Sequence, residues 1–305
     1  MLSTPRFHHL HLNSRDPDAA IAFYTQQFPS TEKGEWGGFP ALRSPNDVMI
    51  LFSQTDRPPP TAPQSAIWHF GWHTTDARRS LATYKSRPEV ELLPLYTSEE
   101  GGAVLISSDT WPGTGGALGL TRAQIAEAKD KGVRPKGGAG FAYMRGPDDA
   151  LVEYAGDHPA ERFNHVHLYQ EDPIGALAWY QRHLNAPVRQ GFTSPASDRS
   201  VPRSPDRTWP ALNREGMFRT PRAGVEFGDV ALIWYANQGE APLAPSRGQL
   251  QDHIALAVAD LDAWADKLQG EGVGLLEPPY RLGSTRALMI EGPSREAIEL
   301  VEVRE

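Results

Sequence analysis

His9, His69 and Glu153 in the first half of the chain reappear in the second half as His165, His253 and Glu299. Two imidazoles and one carboxylate are a donor set for a divalent cation, provided the imidazoles are neutral and the acid offsets the ion's charge. Both acids close the same phrase, GPDDALVE at 146–153 and GPSREAIE at 292–299, inside apolar segments. A carboxylate there is costly unless something positive compensates it. A bland alternative stands beside this reading: a strand histidine can simply be hydrogen-bonded in a core, and a buried Glu can pair with Arg or Lys. The set occurring twice favours the cation, although duplication copies structural residues as well. The equivalent positions in the other modules, Leu51 and Ile233, cannot ligate, so each half offers three donors and leaves open positions.

His11 and His167 lie two residues beyond His9 and His165, on the same face of a strand. Each can be a second hydrogen-bonding layer, a proton carrier or a polar pocket wall inherited through duplication. His73, four beyond His69, is matched by Ala257, so any role belongs to the N-terminal half alone.

The elements that must position these groups come from a repeat. FHHLHLNSRDPDAAIAFY (7–24) returns 156 positions later as FNHVHLYQEDPIGALAWY (163–180). Each half divides again, with strand-then-helix patterns at 67–86 and 252–269. Asp16, Asp76, Asp172 and Asp260 stand where helix N-caps belong, and Pro17 and Pro173 suit a first helical position. Apolar segments at 48–52, 151–155, 230–235 and 297–303 read as closing strands. Strand, helix, then several strands, four times over, is α+β with mixed sheets. The expected domains are 1–157, with modules 1–53 and 64–157, and 158–305, with modules 158–237 and 250–305. Insertions fall at 97–132, including a helix-like TRAQIAEAKDKG, and at 190–223, rich in Arg, Pro and Ser. Arg203, Arg207, Arg214 and Arg219 can greet an anionic substrate or lie in a solvated loop.

Composition narrows the partners. The 305 residues carry a formal charge of −8 and no long basic run, which argues against nucleic acid. No apolar run nears the roughly 18–20 residues that span a bilayer, and the N-terminus does not read as a signal peptide. Without cysteine there is no thiolate nucleophile or Cys-based metal site, and a cytoplasmic location is expected.

Four such modules, with His near the start of a first strand and Glu in a last one, resemble the vicinal oxygen chelate superfamily. That group includes glyoxalase I, extradiol dioxygenases and the bleomycin and fosfomycin resistance proteins. The resemblance implies paired βαβββ modules forming two glyoxalase-like domains with incomplete β-barrels, each around an ion that chelates adjacent oxygens of a small molecule. Two His and one Glu resemble the extradiol arrangement, which favours Fe(II) with room for a catecholate and O₂; Zn, Ni, Co or Mn are compatible. Glyoxalase I-like members usually take carboxylates from both modules, and Leu51 and Ile233 depart from that. Extradiol enzymes usually carry a tyrosine ten residues before the metal Glu. Tyr143 holds that place before Glu153, whereas Met289 holds it before Glu299, and Pro135 and Lys136 stand near the place of the family's further histidine. Acid–base roles therefore fall to Tyr143, His11, His73 and His167. An extradiol-type dioxygenase is the leading expectation, with a glyoxalase-like lyase or isomerase and a non-enzymatic drug- or metabolite-binding protein as alternatives, as a monomer or homodimer.

Overall fold

The computed structural model describes residues 2–93, 127, 130–132, 141–156, 158–190, 222–237 and 241–303. The expected insertions, with the helix-like stretch, lie almost entirely outside them. In the first module, β1 (Arg6–Ser14) leads into α1 (Pro17–Gln27), then β2 (Glu32–Trp36), β3 (Phe39–Arg43) and β4 (Met49–Gln54). The second has β5 (Ile67–His73), α2 (Ala77–Lys85), β6 (Glu91–Leu93), β7 (Phe141–Arg145) and β8 (Leu151–Ala155). The third has β9 (Arg162–Gln170), α3 (Pro173–Leu184), β10 (Arg222–Phe227) and β11 (Val230–Ala236). The fourth has β12 (Gln251–Val258), α4 (Leu261–Gly270), β13 (Leu275–Leu282), β14 (Thr285–Glu291) and β15 (Ala297–Glu302). All four aspartates cap as expected. Asp16, Asp76 and Asp260 each accept from the backbone N–H three residues on, and Asp172 accepts from Ile174 and Gly175. Each cap satisfies a donor that the helix cannot use itself.

The modules pair across the halves of the chain rather than within them. One eight-stranded sheet runs β13-β14-β15-β12-β1-β4-β3-β2, joining the fourth module to the first. The other, seven-stranded, runs β10-β11-β9-β5-β8-β7-β6 and joins the third to the second. Neither sheet is therefore contained in 1–157 or 158–305, the units expected from the repeat. The reason is which first strands meet: β1 lies antiparallel to β12 and β5 antiparallel to β9. Neither sheet closes into a barrel by hydrogen bonding. The eight-stranded one curls until its two end hairpins touch, with Gly37 and Gly283 both at positive φ. A Cβ on Gly283 would stand 2.9 Å from the Gly37 Cα, so this approach demands glycine.

Strand alternation separates core from site. Leu10, Ile50, Phe52, Ile254, Leu256, Ile298 and Leu300 turn to one face, joining Phe70, Val152, Val166, Leu168 and the buried sides of the helices in a single core cluster. Their neighbours His9, His11, Leu51, His253 and Glu299 turn the other way, as do His69, Glu153, His165 and His167 in the second sheet.

One buried acid belongs to the core. Glu296 is fully buried and accepts hydrogen bonds from Gln170 Nε2 (2.7 Å), the Tyr180 hydroxyl (2.9 Å) and the Ser294 N–H (2.8 Å), tying the third module to the fourth. Its pKa is raised because burial outweighs these donors. The folded state thus holds this proton more firmly than the unfolded chain. The stability it contributes is full below the ordinary carboxylate range and is lost as pH rises through the raised value. Glu296→Ala strands three donors and is expected to cost about 2–4 kcal/mol in urea unfolding at neutral pH, with a smaller loss of stability on raising pH than in the parent protein.

Candidate metal centres

In the eight-stranded sheet, His9 from β1, His253 from β12 and Glu299 from β15 converge. The pairing β1–β12 sets His11 opposite His253, and β12–β15 sets Ala255 beside Glu299. His9 Nε2 lies 3.4 Å and His253 Nε2 3.9 Å from Glu299 Oε2. All three atoms are buried and have no hydrogen-bond partner. Two donors each about 2.1 Å from a shared ion stand about 3.0–3.4 Å apart, so His9 is at ligand spacing from Glu299 and His253 stands farther out at 3.9 Å, while the donor atoms within 4.8 Å of one another in this sheet are those of His9, His11 and His253.

Each of these residues is also gripped on its other side. His9 Nδ1 lies 2.8 Å from His8 Nδ1, and His253 Nδ1 2.6 Å from Asp252 Oδ1. The Tyr280 hydroxyl donates to Glu299 Oε1. Asp252 is itself held by Arg247 and by the Gly248 N–H, and its carboxyl sits well below the usual range, the donors and charges of His253, Gly248 and Arg247 overcoming burial. Holding the remote atom of a ligand fixes its ring and tautomer, the arrangement metal sites use. Burial, followed by the neighbouring imidazoles, keeps His9 far below its ordinary pKa and therefore neutral. Burial also raises Glu299, only partly offset by His253 and Tyr280, so this carboxyl lacks compensation of its own. A cavity of about 260 Å³ opens onto the three atoms, walled by His11, Phe39, Leu51, Ser53, Leu282 and Met289, with Arg247, Asp252 and Glu277 on its polar side.

The second centre is built in the same way. His69 from β5, Glu153 from β8 and His165 from β9 meet, with His69 Nε2 3.0 Å and His165 Nε2 3.6 Å from Glu153 Oε2. Donor atoms of His69, Glu153, His165 and His167 all lie within 4.8 Å of one another. His165 Nδ1 is held by Asn164 Oδ1 at 2.9 Å. Burial alone would raise Glu153, yet the closer imidazoles of His165, His69 and His167 hold it well below the usual range. Burial, partly opposed by Glu153, lowers His69 to about 4. Tyr143 pairs directly with Glu153 across β7–β8; burial first, then Glu153, pushes its phenol far up. The surrounding wall is aromatic: Trp68, Tyr143, Tyr169 and Tyr235 with Ile233.

The six proposed donors thus gather, but not in the expected trios. His9 joins His253 and Glu299, and His165 joins His69 and Glu153, because the modules exchange partners across the chain. His11 and His167 fall beside these groups. His73 does not; it stacks on His158 at the end of β5, with ring centroids 3.2 Å apart. Pro135, Lys136 and the arginines 203, 207, 214 and 219 lie outside the described residues. Asp252, Tyr280, Asn164 and Gly71 were not anticipated. Only the Asp252-His253 and Asn164-His165 neighbours carried a sequence signal, an acceptor immediately before a ligand histidine.

Residues 162–300 match the model of the Glyoxalase/Bleomycin resistance protein/Dioxygenase superfamily. Glyoxalase I from Zea mays is 15% identical, the match covering 98% of this chain and 92% of the maize chain with a TM-score of 0.62. A provisionally assigned dioxygenase from Bacillus subtilis subsp. subtilis str. 168 is 12% identical over 99% of this chain and 86% of its own, with a TM-score of 0.55. At such identities these likenesses show the fold alone, a glyoxalase-like one in both sheets of the described residues. No curated protein matches it. No helix among the described residues is long and apolar enough to cross a membrane.

Gly71 offers a test of the second centre. A Cβ there would stand 2.6 Å from His165 Cε1 and 2.7 Å from the Glu153 carbonyl oxygen. Gly71→Ala is expected to displace the His165 ring and weaken divalent-ion binding at that centre about 10- to 100-fold in calorimetric titration, with the His9 centre unaffected. For the first centre, Asp252→Asn removes the carboxylate from His253 and is expected to weaken ion binding there by a similar factor.

Proposed function

We propose that the chain is a metal-dependent enzyme of extradiol-dioxygenase type acting on a small molecule with adjacent oxygens, and that His9, His253 and Glu299 form its reaction centre. The observation that carries this reading is the trio of buried, unpartnered atoms, each backed by a partner on the far side and all opening onto one cavity. Two imidazoles and one carboxylate suit Fe(II), and their chemistry admits Zn, Ni, Co or Mn. Such an ion, when bound, supplies Lewis acidity toward adjacent substrate oxygens and, as iron, a place for dioxygen.

The chain's own residues do the rest. Phe39, Leu51, Leu282 and Met289 give the cavity an apolar flank fit for a planar ring. His11 lines the same cavity, with its Nε2 2.8 Å from Ser53 Oγ. Burial, with His253 next, holds its pKa well below the ordinary value, so it is neutral and able to accept a hydrogen bond from a substrate hydroxyl. Tyr280 keeps Glu299 oriented, and Arg247, clamped between Asp252 and Glu277, keeps the second carboxylate on His253. Leu51 stands where a fourth, acidic donor would be needed for the glyoxalase-like pattern, which favours the dioxygenase over an isomerase.

Anaerobic loading with Fe(II), followed by oxygen-uptake measurements on a panel of catechols, tests the proposal. At least one catechol is expected to drive uptake, with Glu299→Ala reducing it at least ~100-fold. Proton exchange on a 2-hydroxy carbonyl compound without oxygen uptake would instead indicate the isomerase.

A further inference from the structure

Resting on the reading of two ion centres, we propose that His167 is a fourth protein ligand in the His69–Glu153–His165 centre. That centre would then hold its ion with three imidazoles and one carboxylate, while the His9 centre keeps three protein donors. The duplication makes His11 the counterpart of His167, and the structure treats the two differently. His11 lies opposite His253 and stacks on it, with ring centroids 4.6 Å apart and planes 25° from parallel, while its Nε2 is engaged by Ser53 at 2.8 Å. It forms a wall of the cavity.

His167 lies opposite His69 in the corresponding register. Tyr235 takes the place of Ser53, its ring centroid 5.5 Å from that of His167. His167 is 8% exposed, and its Nδ1 has no hydrogen-bond partner. Its centroid stands 4.4 Å from that of His69 and 4.7 Å from that of His165. A buried imidazole nitrogen without a partner is costly, and a shared cation would satisfy it. Donor atoms of His167 and of the Glu153 carboxylate belong to one compact group with His69 and His165; among the described residues the matching group in the other sheet gathers His11 with His9 and His253 but not Glu299, and there Ser53 already engages the His11 Nε2.

Coordination number then divides the labour between the centres. An octahedral ion held by three protein donors keeps three positions for a chelating substrate and a further ligand; held by four, it keeps two. The His9 centre keeps the three open positions and opens onto the cavity already described. The His167-containing centre would retain its ion tightly and turn over nothing that needs three free positions.

Co(II) binding separates these assignments. In a Glu299→Ala protein, which leaves the second centre intact, adding His167→Ala is expected to weaken Co(II) at least tenfold and to shift its visible absorption. In a Glu153→Ala protein, adding His11→Ala is expected to change the Co(II) affinity of the His9 centre less than threefold. As a measurement that leaves His167 in place, X-ray absorption of Zn-loaded Glu299→Ala protein is expected to count three imidazoles. Two imidazoles, or a His167→Ala affinity within threefold of its parent with an unchanged spectrum, would overturn the fourth-ligand assignment alone. Failure of the Glu299→Ala protein to bind either ion would overturn both that assignment and the centre itself.

Discussion

Antiparallel pairing of first strands from opposite halves of the chain is the constraint on which both centres depend. β1 against β12 and β5 against β9 bring histidines from different modules face to face across a backbone ladder. The closing strands β15 and β8 run parallel to β12 and β5, one strand further out, and place a carboxylate on the same face. No single module holds a complete donor set. Each centre is a property of an interface between modules, and the core residues that alternate with the donors hold that interface together.

Burial gives the donors their character. An imidazole or carboxylate removed from water is driven toward its neutral form. For His9 and His69 that is the ligating form. For the acids the outcome follows their neighbours: Glu153, with imidazole nitrogens at 3.0 and 3.6 Å, is held below the usual range, whereas Glu299, with its nearest at 3.4 and 3.9 Å, is raised by burial. The neighbours differ as well: His167 adds to the imidazoles that lower Glu153, whereas Glu277 adds to the burial that raises Glu299. Their linings differ too: Phe39, Leu51, Leu282 and Met289 beside His9, and Trp68, Tyr143, Tyr169 and Tyr235 beside His69.

Much of this arrangement was legible in the residues. The repeat at 7–24 and 163–180 revealed the duplication, the four capping aspartates revealed the helix starts, and the shared phrase ending in Glu153 and Glu299 marked two acids inside apolar strands. The partnership of modules was not legible, because an antiparallel β1 pairs as well by local pattern with β5 as with β12. Choosing the nearer module in sequence put His9 with His69 and His165 with His253, whereas the fold exchanges them. Tyr280 and Gly71 were hidden for another reason. Their importance lies in a hydrogen bond and a close approach between strands, neither of which leaves a spacing signature.

Anomalous diffraction from crystals of the Zn-loaded protein, recorded on both sides of the zinc absorption edge, tests this module exchange most directly. The account predicts a peak within bonding distance of His9 Nε2, His253 Nε2 and Glu299 Oε2, and another among His69, Glu153 and His165. A peak joining His9 to His69 and Glu153, or ordered zinc only at surface residues, would contradict it.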